Sequence, residues 1–133
     1  MEEEDRATVN VTAANLKQTV GSPGIVVLDF RAAGCAPCRA FAPVFEAAAA
    51  VHPDVTWGKV DTQAESALAG ALGIRSIPTV AVFRDGIPVF AQPGVRPASA
   101  LEEVLAQVRA LDMDAVRQEA SRHAPAMRGQ EGA

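Results

Sequence analysis

A chain of 133 residues that is 49% hydrophobic and 21% charged suits one domain with its own core, and is neither a disulfide scaffold nor a disordered polypeptide. No apolar run approaches the roughly 20 residues of a membrane helix, and the start MEEEDRATVN is acidic and lacks the apolar stretch of a secretory signal, so the expected location is the cytoplasm. Glu2, Glu3, Glu4 and Asp5 alone match the net charge of -4, leaving 12 acidic against 12 basic residues, a balance that argues against a nucleic-acid or anionic-membrane surface.

Residues 1–7 read as a solvated acidic tail. Thr8 to Val11 is a short predicted strand, with Thr12 placed to cap a helix running to Val20. Gly21 to Gly24 breaks the chain ahead of IVVLDF, Ile25 to Phe30, whose length and β-branched content fit a strand buried on both faces. The stretch FRAAGCAPCRAF follows, and its helix is expected to run to about Val51, because Phe41, Val44, Phe45 and Ala48 repeat at i, i+3, i+4, i+7. Val55 to Asp61 is the next strand, with Trp57 expected in the core. Thr62 and Glu65 have the spacing of a capping box for a helix ending near Gly73.

TVAVF, Thr79 to Phe83, is a further buried strand, and Arg84-Asp85-Gly86 signals a hairpin that returns antiparallel through Ile87 to Ala91. Gly94 ends the hairpin, and a last helix from about Pro97 to Ala110 buries Leu101, Val104, Leu105 and Val108. The order β-α-β-α-β-α-β-β-α implies an α/β domain over 8–111. Its mixed sheet would have parallel crossovers, one antiparallel edge and helices on both faces. Residues 112–133 form an extension, with a further helix or a continuation of the last over Asp112 to His123 and a disordered end from Ala124.

Cys35 and Cys38 are the only cysteines. In a reducing cytosol such a pair suits redox chemistry or metal binding better than a structural bridge. Cys35 opens a helix whose first amide hydrogens lack intrahelical partners, so those amides and the helix dipole stabilise a thiolate there. The thiolate is the nucleophile of disulfide exchange. Cys38 lies one turn on, in register with Phe41 and Phe45, and should be the more buried sulfur; at i, i+3 the two sulfurs can close a ring without moving the backbone. Pro37 sits in the first turn, where its missing N–H costs nothing. Half a zinc site is the bland alternative, although His52 and His123 lack the spacing to complete one.

Together the element order, the site GCAPCRAFAP with Pro43 five residues after the second cysteine, and GIRSIPTVAVFRDG resemble the thioredoxin family over roughly Val9 to Leu111. The resemblance implies a thioredoxin fold and a protein-disulfide reductase. Cys35 would attack a client disulfide and Cys38 would resolve the mixed disulfide. Pro78 would have a cis peptide bond facing the cysteines, with Ile77 beside it pairing with the client. Asp29 would lie beneath Cys38 and, modulated by Lys59, relay the proton that the resolving thiol loses. Gly73, Ile74 and Gly94 would border the cysteines and form an apolar docking surface with Ala36 and Pro37. No bound cofactor is implied, and a flavin-dependent thioredoxin reductase would supply electrons to a monomer. From the residues alone, Asp29 inside an apolar strand is costly to bury unpaired, and desolvation should raise its pKa. Pro43 removes an N–H inside its helix, where a kink is expected.

Two positions depart from the family pattern. Gly34 replaces the tryptophan that usually precedes the first cysteine, which removes apolar surface beside the nucleophile. Ala36 replaces the commoner glycine and adds one methyl. Neither touches an ionising or exchanging group, so the reaction type is expected to survive. A module that binds clients or a partner enzyme without turnover, and a metal or iron–sulfur dimer bridged by two C-x-x-C pairs, remain the competing readings.

Overall fold

The computed structural model describes residues 7–132, and the side chains of 7–122. The acidic tail expected over 1–7 lies outside the described residues except for Ala7, and the disordered end expected from Ala124 falls on residues without described side chains.

The elements are β1 (Thr8–Asn10), α1 (Leu16–Val20), β2 (Ile25–Arg31), α2 (Ala36–Val51), β3 (Thr56–Asp61), α3 (Ser66–Ala71), β4 (Thr79–Arg84), β5 (Ile87–Pro93), α4 (Ala98–Arg109) and α5 (Met113–Gly132). One five-stranded sheet has the order β1-β3-β2-β4-β5. β2 is central and buried from Ile25 to Phe30, as a continuous apolar run requires. Its outward neighbours on one side are parallel, β2 with β3 and β3 with β1.

On the other side the expectation needs correcting. β4 runs antiparallel to β2 as well as to β5, so the sheet has two antiparallel pairings rather than one antiparallel edge. The segment 62–78, which contains α3, brings the chain back to the end of the sheet where β3 finished, and β4 enters there. The β4–β5 turn has Asp85 at φ 52° and Gly86 at φ 82°, a type I′ geometry that suits the aspartate-glycine pair.

Helices cover both faces. Alternation along β2 sends Ile25 and Val27 into a core with Phe41, Phe45 and Ala48 of α2, Trp57 of β3, and Leu101, Leu105 and Val108 of α4. Val26, Leu28 and Phe30 face the opposite way, into a smaller core with Val11, Val60 and Ala81 that Leu16 and Leu68 cover. Trp57 is buried, as expected, and its Nε1 donates to the His52 carbonyl at 3.0 Å. Pro43 lies inside α2, which runs as one helix from Ala36 to Val51.

Two helix starts differ from expectation because side chains found other partners. Thr12 and Asn15 close a turn on each other's segment, Asn15 Oδ1 accepting from the Thr12 amide and Thr12 Oγ1 from that of Ala14, and α1 begins only at Leu16. Before α3 the Thr62 hydroxyl donates to the Arg31 carbonyl and Glu65 accepts from the Ala13 amide, so no capping box forms. Asp61 Oδ1 accepts from the amides of Gln63 and Ala64 in the turn ahead of α3, which has no side-chain cap.

Candidate active site

β2 ends at Arg31, and the loop Ala32-Ala33-Gly34 carries the chain to the start of α2. The Arg39 guanidinium, one turn into the helix, donates to the Ala33 carbonyl at 3.0 Å and ties the loop down. The Cys35 amide donates to Ala32 at 3.2 Å. Cys35 is the N-cap of α2 in extended conformation, and its sulfur accepts from the Cys38 amide at 3.1 Å. That amide is one of the helix's otherwise unpartnered donors, here bonded to a disulfide sulfur. Pro37 sits in the first turn.

The two sulfurs are joined as a disulfide, with Cα atoms 5.2 Å apart, within the ordinary range for such a bond. Cys35 is partly exposed and Cys38 is buried. Opposite them the Ile77–Pro78 peptide is cis. The Ile77 carbonyl oxygen lies 3.9 Å from Cys35 Sγ, a contact only in this oxidised form because the sulfur has no proton to donate. Pro78 is buried, and its carbonyl accepts from the Gly94 amide at 2.8 Å. Gly94 makes this bond at φ 109°, which a residue with a Cβ rarely adopts. A cavity of about 210 Å³ is lined in part by Gly73, Ile74, Thr79 and Pro93.

Gly34 is exposed and its φ is not in the left-handed range. A Cβ built there meets nothing within 4 Å. The loop therefore does not require glycine; the missing side chain leaves open space beside Cys35.

Asp29 is fully buried, and neither carboxylate oxygen has a hydrogen-bond partner. Burial pushes its pKa up from 3.8 to about 7, opposed by the charges of Arg31 and Lys59 and assisted by that of Glu46. Lys59 is opposite Asp29 in the β2–β3 register, as the expected pairing needs, but its ammonium bonds the Glu46 carboxylate on α2. Sequence reading missed both Glu46 and Arg31. Arg31 was open to it, since residues i and i+2 of a strand share a face; Glu46 depends on how α2 crosses the sheet.

Cys38, Phe41 and Phe45 form one stripe of α2, and Val27 and Asp29 are successive positions on one face of β2. Phe41, Phe45 and Val27 share a core. Among the described residues no group of three or more His, Cys, Asp or Glu could hold a metal ion, and no helix is long and apolar enough to cross a membrane.

A cysteine pair that forms a disulfide at the mouth of a helix in this fold defines a thiol–disulfide oxidoreductase. Residues 7–107 match the Thioredoxin family model. The chain is 50% identical over 111 residues to "Putative thioredoxin 2" of Streptomyces coelicolor, covering 84% of this chain and 83% of that one. It is 41% identical to a thioredoxin of Alicyclobacillus acidocaldarius, over 77% of this chain and 98% of the relative. Among solved structures, a mutant thioredoxin from Halobacterium salinarum superposes with TM-score 0.72 at 29% identity, over 79% of this chain and 94% of that one. The chain belongs to the thioredoxin family.

Proposed function

We propose that this oxidoreductase works in the reducing direction, on disulfides of client proteins in the cytoplasm. The observation that carries the reading is the asymmetry of the pair, with Cys35 partly exposed at the helix cap and Cys38 buried behind it. The Cys35 thiolate attacks one sulfur of the client disulfide, a Cys35–client bond forms, and the electron pair of the broken bond leaves on the other client sulfur, which takes a proton from solvent. Cys38 then gives its proton to the Asp29 carboxylate and attacks Cys35 Sγ. The Cys35–Cys38 bond forms, the Cys35–client bond breaks, and the second client sulfur leaves as a thiolate. Two electrons have passed to the client, and the protein is left in the disulfide form.

Lys59 adjusts the affinity of Asp29 for that proton. Ala36, Pro37, Ile74, Ile77, Pro78 and Gly94 receive the client chain beside the cysteines. A flavin-dependent thioredoxin reductase returns the two electrons, so the protein takes part in electron transport and in cell redox homeostasis. It acts as a monomer that needs neither nucleic acid nor membrane, with 8–111 as the working domain and 112–133 as an extension. Thiol trapping tests the order of attack. Cys38→Ser should accumulate a client adduct through Cys35, and Asp29→Ala should form the adduct at the parental rate while resolving it more slowly. An adduct through Cys38 in the Cys35→Ser variant would reverse the assignment, and equal adduct lifetimes in parent and Asp29→Ala would remove the proton relay.

A further inference from the structure

We propose that Arg31 is a positioning residue of the exchange reaction, the cation that acts on the Asp29 carboxylate from its own strand while Glu46 holds the Lys59 ammonium. The inference rests on the reading of Asp29 as proton acceptor for Cys38.

Arg31 follows Asp29 at i+2 on β2, so the two share the face of the sheet that α2 covers, about 6.6 Å apart along the strand. Arg31 Nε is buried and has no hydrogen-bond partner. Asp61 is its neighbour across β3, but turns Oδ1 to the amides of Gln63 and Ala64. A cavity of about 240 Å³ lies at this corner, lined by Arg31, Lys59 and Asp61 together with Thr12 and Glu65. The guanidinium is thus not claimed at Nε by a carboxylate, whereas the ammonium of Lys59 is.

The charged groups facing Asp29 are Arg31 from its own strand, Lys59 from β3 and Glu46 from α2; its β4 partner, Val80, is apolar. Both cations weaken the hold of Asp29 on its proton and Glu46 strengthens it, and the effect of Arg31 exceeds that of Lys59. A protonated Asp29 cannot take the proton of Cys38. Near neutral pH, therefore, Arg31 raises the fraction of molecules ready to resolve a mixed disulfide.

The test is the carboxyl carbon titration of Asp29 by NMR in the oxidised protein, alongside the pH profile of mixed-disulfide resolution, in Arg31→Met, Arg31→Lys and Lys59→Met. One charge at roughly this distance, screened by partial exposure, corresponds to about one pH unit. Arg31→Met should raise the Asp29 midpoint by about that much and move the resolution profile with it. Arg31→Lys should restore most of the shift, and Lys59→Met should move the midpoint less. Arg31→Gln gives the same comparison where the methionine variant does not fold. A midpoint unmoved in the neutral variants, or moved further by Lys59→Met, overturns the proposal while leaving the relay intact, provided Asp29→Ala still resolves slowly. If Asp29→Ala resolves at the parental rate, the relay itself falls and the role of Arg31 in the reaction falls with it.

Discussion

Replacing Asp29 by alanine should stabilise the oxidised protein by an amount that grows with pH. The carboxyl is raised from 3.8 to about 7 by burial, and neither oxygen has a partner that the substitution would orphan. Between those values the folded chain holds a proton that the unfolded chain has released. Stability therefore falls as pH rises through that window and levels off above the folded pKa. At about 1.4 kcal/mol per pH unit the whole loss is on the order of 4 kcal/mol, of which about 3 kcal/mol falls between about pH 5 and about pH 8.5. The alanine variant lacks this loss and carries instead a pH-independent cost for the packing it removes. Urea unfolding of both oxidised proteins at the two pH values reads the difference, because every other titrating group is common to them. With m near 1–3 kcal/mol/M, the gap between midpoints should widen by about 1–3 M from the lower pH to the higher. A gap that stays constant would refute the reasoning, since it would mean that Asp29 does not titrate near neutrality in the folded state.

Glu46→Gln should lower the NMR titration midpoint of Asp29, because it removes the one nearby charge that favours the proton and releases Lys59; a rise would contradict the electrostatic account. Gly34→Trp should fold with a thermal midpoint within about 2 °C of the parent and lower the KM for protein disulfides, since a side chain there has open space; a large fall in the midpoint would show that the loop needs glycine. Gly58→Ala should cost about 1–3 kcal/mol in urea unfolding, because its Cβ would lie 2.6 Å from Val11 Cγ2 and 2.8 Å from Leu28 Cδ2 in the smaller core; a neutral result would mean that the core yields.

The redox pair was legible in the sequence because its chemistry is local. Three residues on a helix fix the distance between Cys35 and Cys38, and the helix start fixes which sulfur meets the open amides. The order of elements was legible for the same reason, each hydrophobic period being a property of one segment. The direction of β4 was not, since it depends on which end of the sheet the segment 62–78 returns to. Nor were the partners of Thr62 and Glu65, which bond across the sequence to Arg31 and Ala13 in preference to their own helix. The surroundings of Asp29 divide along the same line. Its burial and raised pKa follow from a lone carboxylate in IVVLDF, whereas the capture of Lys59 by Glu46 requires α2 to pack over β3. The resemblance supplied what the residues could not, the cis bond before Pro78 above all.

In the proposed function Cys35 and Cys38 pass electrons to client proteins without the usual tryptophan beside them. The decisive measurement is reductase-coupled turnover of a model protein disulfide, with Cys35→Ser and Cys38→Ser as controls. Catalytic turnover by the parent that either substitution abolishes is the predicted result. A parent that forms the Cys35–Cys38 disulfide yet turns over no client with any flavin-dependent thioredoxin reductase would contradict the account and leave a fold that binds clients without reducing them.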